Sequence, residues 1–236
     1  MTSLRAVMDH FQDSRFASDD GCPFPCQVTV QDSRVTVLAG DNATGKSLAF
    51  RHLAHFAQAE KVAVITLSIR ERTGSGLSDM AGLRRGMIYG DENEQSTGAT
   101  SVSVAERGFK NVMHRLEENP PVPTLLMFDE PELGLSEGYA GALGQYLAEQ
   151  VLALPLAAPG LVLVSHSRGL VGRLVDRLGQ APSFIHMGKE PKTLNEWLTH
   201  PEERTVEDLL ALQALGVQGR RAWPTWLDQV KAEKAS

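Results

Sequence analysis

Val35-Thr36-Val37-Leu38-Ala39-Gly40-Asp41-Asn42-Ala43-Thr44-Gly45-Lys46-Ser47 joins an apolar, β-branched run to a polar loop bounded by glycines. The loop opens directly into Leu48, Phe50, Leu53, Phe56 and Ala57, which recur near helical spacing as far as Ala59. The local order is therefore strand, loop, helix. In that context Gly40 to Ser47 fits the pattern of a loop that cradles phosphates. Glycines let the backbone bend so that successive N–H groups point at the phosphates, and the helix N-terminus adds its positive dipole. Lys46 is placed to reach β and γ phosphates, and the Ser47 hydroxyl to ligate Mg²⁺. Gly40, Asp41, Asn42, Ala43, Thr44, Gly45, Lys46 and Ser47 are accordingly the expected contacts to ATP.

Further along, Leu125-Leu126-Met127-Phe128-Asp129-Glu130-Pro131-Glu132 is an apolar strand that ends in adjacent acids. A buried strand has no packing reason to end in Asp-Glu. At the end of such a strand Asp129 is expected to hold Mg²⁺ through water, and Glu130 to polarise and orient an attacking water.

The rest of the chain alternates in the same way. Val28 to Val30 and Val35 to Leu38 read as strand, turn and strand, and Val62 to Leu67 as a further buried strand. Ser68 to Thr100 lacks apolar periodicity and is expected to be a long functional excursion. A helix follows over Val102 to Leu116, ended by Asn119-Pro120-Pro121, then a strand over Thr124 to Phe128 and a helix over Gly138 to Leu154. Leu161 to Val164 is the next strand, and Ser183 to Met187 reads as an edge strand. Leu4 to Phe11, Thr205 to Leu215 and Trp223 to Lys231 read as helices near the two ends. Strands alternating with helices predict an α/β fold with a mainly parallel sheet.

A chain of 236 residues buries one good core, so a single domain over 1–236 is expected, with its core at about 28–174 and a helical and edge region at 175–236. The 29 acidic side chains exceed the 23 Lys and Arg, giving a net charge of −6, which argues against binding a nucleic-acid backbone over the whole surface. Arg70, Arg72, Arg84 and Arg85 form a basic concentration in mid-chain, read first as a solvated face. Cys22 and Cys26 flank Pro23-Phe24-Pro25, and no second Cys or His pair at matching spacing completes a metal site, so reduced structural thiols are expected. Neither a signal-peptide core nor an unbroken apolar span of about 18 residues is present, which predicts a cytoplasmic protein with no direct membrane insertion.

With both acidic and phosphate-loop motifs in view, the chain resembles the nucleotide-binding domains of ABC-type ATPases, over about Val28 to Leu174. Gly-x-Asn-x-x-Gly-Lys-Ser with Asp-Glu-Pro-Glu-x-Gly-Leu is more similar to the SMC, RecF and OLD-related soluble ATPases than to transporter subunits. Ala43 stands where that group usually has Gly. The resemblance implies a three-layer P-loop NTPase, an ABC-type head with a small antiparallel β portion near the N-terminus. It also gives His166, after Leu161 to Val164, the role of γ-phosphate sensor, and Leu133-Gly134-Leu135-Ser136 the place of a loop bridging two subunits.

For the signature motif, which one subunit offers to the nucleotide of another, the nearest segment is Gln95 to Ser101, with Ser96 and Gly98 as its phosphate-facing residues. A second alignment uses Val102 to Glu106, centred on Ser103. Phe24 and, less favoured by position, Phe16 are the aromatic candidates to stack on adenine, and each reads equally as a local packing residue. The resemblance implies ATP binding and hydrolysis, with ATP and Mg²⁺ driving formation of a homodimer or hetero-complex. The expected role is an ATP-driven switch in DNA processing, phage or defence function. Alternatives are an ATP-binding regulatory subunit of a hetero-complex and the ATPase subunit of a transporter.

Overall fold

The computed structural model of the protein describes residues 3–68 and 97–235. Its first helix, α1 (Ser3–Gln12), forms because Leu4, Val7, Met8 and Phe11 recur at one-turn spacing, and all four are fully buried. There follow α2 (Arg15–Ser18), β1 (Cys26–Thr29), β2 (Val35–Gly40), α3 (Lys46–Ala59), β3 (Ala63–Ser68) and α4 (Thr97–Glu117). The second half comprises β4 (Thr124–Asp129), α5 (Glu137–Ala153), β5 (Gly160–Val164), α6 (Arg168–Leu178), β6 (Ser183–Met187), α7 (Leu194–Thr199) and α8 (Val206–Ala235).

The strands form one six-stranded sheet in the order β1-β6-β2-β5-β4-β3. Among the described strands only β1 is antiparallel; the other neighbours are parallel. Every residue of β2, β5 and β6 is buried, as expected of parallel strands covered on both faces. Side chains alternate between two cores. Val35, Val37, Leu126, Phe128, Leu161 and Leu163 pack under α4, α5 and α6, while Leu38, Leu125, Met127, Val162 and Val164 pack under α1 and α3. The molecule is thus a three-layer α/β structure with a mixed sheet.

Connection direction fixes where a crevice opens. After β2, α3 carries the chain past β5 and β4 to β3, whereas α4, α5 and α6 each carry it back the other way. Right-handed crossovers then require α3 on one face and α4 to α6 on the other, as the two cores record. The reversal falls between β2 and β5, and the carboxyl ends of strands at such a point form the natural binding crevice of an open α/β sheet.

Four sequence expectations change. β1 does not pair with β2 as a strand-turn-strand unit; it runs antiparallel to β6, with Cys26 opposite Met187 and Thr29 opposite Phe184. β2 already has parallel neighbours on both sides, which leaves no edge for β1. The antiparallel portion is therefore one strand on the main sheet, and Ser183–Met187 is an interior strand that β1 covers. Finally, the two expected terminal helices are one, α8, running through Gly216, Gly219 and Pro224. Trp223 and Trp226 pack on the α1 and α3 side of the sheet and hold the helix across Pro224.

The α4 helix starts at Thr97, earlier than the expected Val102. Arg70, Arg72, Arg84, Arg85, Gln95 and Ser96 lie outside the described residues.

Candidate functional site

The polar loop after β2 has the backbone its sequence demands. Gly40 has φ 139°, and a Cβ there would sit 2.2 Å from the Met187 carbonyl oxygen, so only glycine lets β2 end this close to β6. Gly45, at φ 95°, is the N-cap of α3. Ala43 also lies in the left-handed region at φ 63°, a conformation that costs a residue with a Cβ about 1–2 kcal/mol. Thr44 Oγ1 donates to the Asp41 carbonyl at 2.8 Å and ties the loop across itself.

Lys46 opens α3 and is buried, its ammonium donating to the carbonyls of Gly40 at 3.0 Å and Asp41 at 2.5 Å. Burial pushes its pKa down to about 8, and the nearby carboxylates of Glu130, Asp41 and Asp129 oppose that shift. The lysine predicted to meet phosphate therefore shares one electrostatic environment with both predicted acids.

Asp129 is the last residue of β4, in register with Val164 of β5. Glu130 follows at φ 54°, and its N–H donates to the Val164 carbonyl at 2.9 Å. Ser165 N–H donates to Leu38 O at 3.2 Å and closes the end of β5 onto β2. His166 comes next. Its Nε2 lies 3.0 Å from Glu130 Oε1, a close approach without the alignment of a hydrogen bond. The loops after β2, β4 and β5 thus bring Lys46, Asp129, Glu130 and His166 to the crevice.

Beside them Glu132 makes contacts that the sequence reading assigned to no role. Its Oε1 accepts from Ser165 Oγ at 2.7 Å, His166 N–H at 2.9 Å and Ser167 N–H at 3.3 Å. Ser167 in turn caps α6, its hydroxyl accepting from Leu170 N–H at 3.1 Å. The visible signal was the position of Glu132 in the same acidic run as Glu130.

Phe24 and Phe16 are not exposed platforms for a base. Phe16 is buried against Phe11, His52 and Trp223, with ring centroids at 5.7, 4.9 and 5.8 Å. Phe24 supports the loop instead: a Cβ on Gly45 would come within 2.6 Å of its ring, and one on Gly219 of α8 within 2.7 Å. α8 also passes close to the loop at Gly216, where an added Cβ would lie 3.8 Å from Ala43 Cβ. Just before α8, the Arg204 guanidinium pairs with Asp41 and Glu202. Nothing in the local sequence of α8 signalled these contacts.

Gly98 falls in the first turn of α4, and Ser103 lies within that helix. Near the same end Ser101 Oγ lies 3.5 Å from the Leu133 carbonyl oxygen, so α4 starts beside the Leu133 to Ser136 segment. Cys22 and Cys26 are free thiols, and burial pushes the Cys26 thiol up to about 12.

Among the described residues no group of three or more His, Cys, Asp or Glu forms a metal cluster. Mg²⁺ ordinarily takes one or two protein oxygens together with substrate phosphates and water, and Ser47 with Asp129 is a donor set of that kind. No helix among the described residues is long and apolar enough to cross a membrane. No protein-family model matches the chain, and no curated protein matches it.

Proposed function

We propose that the chain is a P-loop ATPase of the ABC type, binding Mg-ATP through Gly40 to Ser47 and hydrolysing it with Glu130. The observation that carries this reading is the convergence of Lys46 with Asp129 and Glu130, and of Glu130 with His166, at the carboxyl ends of β2, β5 and the adjacent β4. Lys46 and the N-terminus of α3 would neutralise phosphate charge. Ser47 and Asp129 would hold Mg²⁺, which supplies further neutralisation of the β and γ phosphate oxygens. Glu130 would orient the attacking water, and His166 would sense the γ phosphate.

On this reading ATP drives association and hydrolysis releases it, in a cytoplasmic switch with a DNA-processing, phage or defence setting. Ser96 and Gly98 would cover the nucleotide of a second copy. A hetero-complex is the second reading, favoured by the exposed apolar residues Val206, Leu209, Leu210 and Leu215 on α8.

The test is phosphate release together with sedimentation. Wild type is expected to turn over Mg-ATP, while Glu130→Gln binds it, associates, and hydrolyses it poorly. Wild-type turnover by Glu130→Gln would remove the carboxylate from the mechanism. A monomeric variant with bound ATP would favour the hetero-complex.

A further inference from the structure

Glu132 sits two residues beyond Glu130, yet its carboxylate is spent on the neighbouring loop. One oxygen, Oε1, accepts from the Ser165 hydroxyl and from the backbone N–H groups of His166 and Ser167, at 2.7, 2.9 and 3.3 Å. Ser165 Oγ also accepts from Ser167 N–H at 3.0 Å, so the donors are preset around the carboxylate. These amides immediately precede α6, an eleven-residue helix whose N-terminal dipole favours an anion. Hydrogen bonds to a charged acceptor are roughly twice as strong as neutral ones, and three of them converge here.

From this arrangement we infer that Glu132 is a positioning residue: it fastens the loop after β5 to the loop after β4 and thereby sets His166 against Glu130. The inference deepens the ATPase reading and, for its effect on turnover, rests on it. The covalent chain alone would not fix this geometry. Glu130 and His166 come from separate loops, and the Glu130–His166 approach at 3.0 Å is not itself an aligned hydrogen bond that would hold them together. The backbone bond from Glu130 N–H to Val164 O levels the strand ends, and Glu132 adds the side-chain link beyond it, since it is anchored to the Glu130 loop by two backbone steps and to His166 by a direct bond. Oε1 carries the contacts, so an amide at this position can keep them through its carbonyl oxygen while losing the charge. Alanine keeps none.

The experiment compares wild type, Glu132→Gln and Glu132→Ala in the full chain. Proton shifts of the His166 and Ser167 amides, measured by nuclear magnetic resonance without nucleotide, read the clamp directly; Mg-ATP affinity and turnover read its consequence. Glu132→Ala is expected to move both amide signals upfield and to lower kcat by about 10²-fold with the Mg-ATP Kd unchanged, as misplacement of a reacting group does. Glu132→Gln is expected to retain downfield amides and to recover most of the turnover. Unaltered His166 and Ser167 amide shifts in Glu132→Ala would overturn the inference whatever the activity. So would parallel losses of affinity and turnover in both variants, since those describe general damage. A wild-type chain that neither binds nor hydrolyses ATP would defeat the ATPase reading instead, and the amide shifts would still decide whether the clamp exists.

Discussion

Glu130 Oε1 and His166 Nε2 lie 3.0 Å apart although the two residues leave different strands, β4 and β5. The pairing of Asp129 with Val164 puts the two strand ends level, and the bond from Glu130 N–H to Val164 O holds the turn. On the proposed ATPase reading two groups so close would act on one water or one phosphate oxygen, so their contributions to rate should not add.

Glu130→Gln and His166→Ala are each expected to lower turnover, by about 10²–10⁴-fold for the carboxylate. The double variant should be little slower than the slower single one. Phosphate release under saturating Mg-ATP checks this, and multiplied losses in the double variant would mean that the two side chains serve separate steps.

Ala43→Gly should stabilise the protein. Ala43 holds φ 63°, where glycine pays no Cβ penalty, and the methyl group lost lies 3.8 Å from where a Cβ on Gly216 of α8 would stand. A gain of about 1 kcal/mol, or roughly 2–4 °C in Tm for a domain of this size, is expected in thermal unfolding. A lower Tm would show that the contact with α8 outweighs the backbone strain.

Gly219→Ala should weaken ATP binding from a distance. Its new Cβ would fall 2.7 Å from the Phe24 ring, which also abuts Gly45, so the ring must shift toward the loop or α8 must lift. Overpacking of this kind typically costs about 1–3 kcal/mol. Unfolding midpoints and nucleotide titrations on the same preparation check it; unchanged values in both would show that Phe24 does not transmit strain from α8 to the loop.

These cases also mark what the sequence made legible. Val35 to Ser47 was readable because strand, loop and helix are consecutive, and Asp129 and Glu130 because charge ends an apolar run. β1 was misplaced because its partner, β6, lies near the other end of the chain and pairing is not a local property. The reading that ends one helix at Leu215 and starts another at Trp223 misses the continuous α8, since composition does not reveal that Phe24 occupies the space beside Gly219. Glu132 was visible as a residue, but its hydrogen-bonding partners come 33 to 35 positions later, and only folding joins them.

The Lys46 ammonium predicts a pH signature. Burial lowers its pKa from an ordinary 10.5 to about 8, so between those values the unfolded chain binds more protons than the folded one. Stability therefore gains from Lys46 as pH rises through that window, and the burial penalty is fully present below it. Nucleotide phosphates favour the charged form, so Mg-ATP binding above about pH 8 should take up a proton. Binding heats in buffers of different ionisation enthalpy report that uptake; identical heats in all buffers at that pH would contradict it.

Calorimetric titration of Mg-ATP into the full chain and into Lys46→Ala tests the central claim most directly. Wild type is predicted to bind one nucleotide with a Kd within roughly the 1 μM–1 mM range over which enzymes meet their substrates. Lys46→Ala, with circular dichroism matching wild type, is predicted to give no measurable binding heat, because the buried charge that would face the phosphates is gone. Equal affinity in the two proteins, or no binding by wild type, would contradict the account.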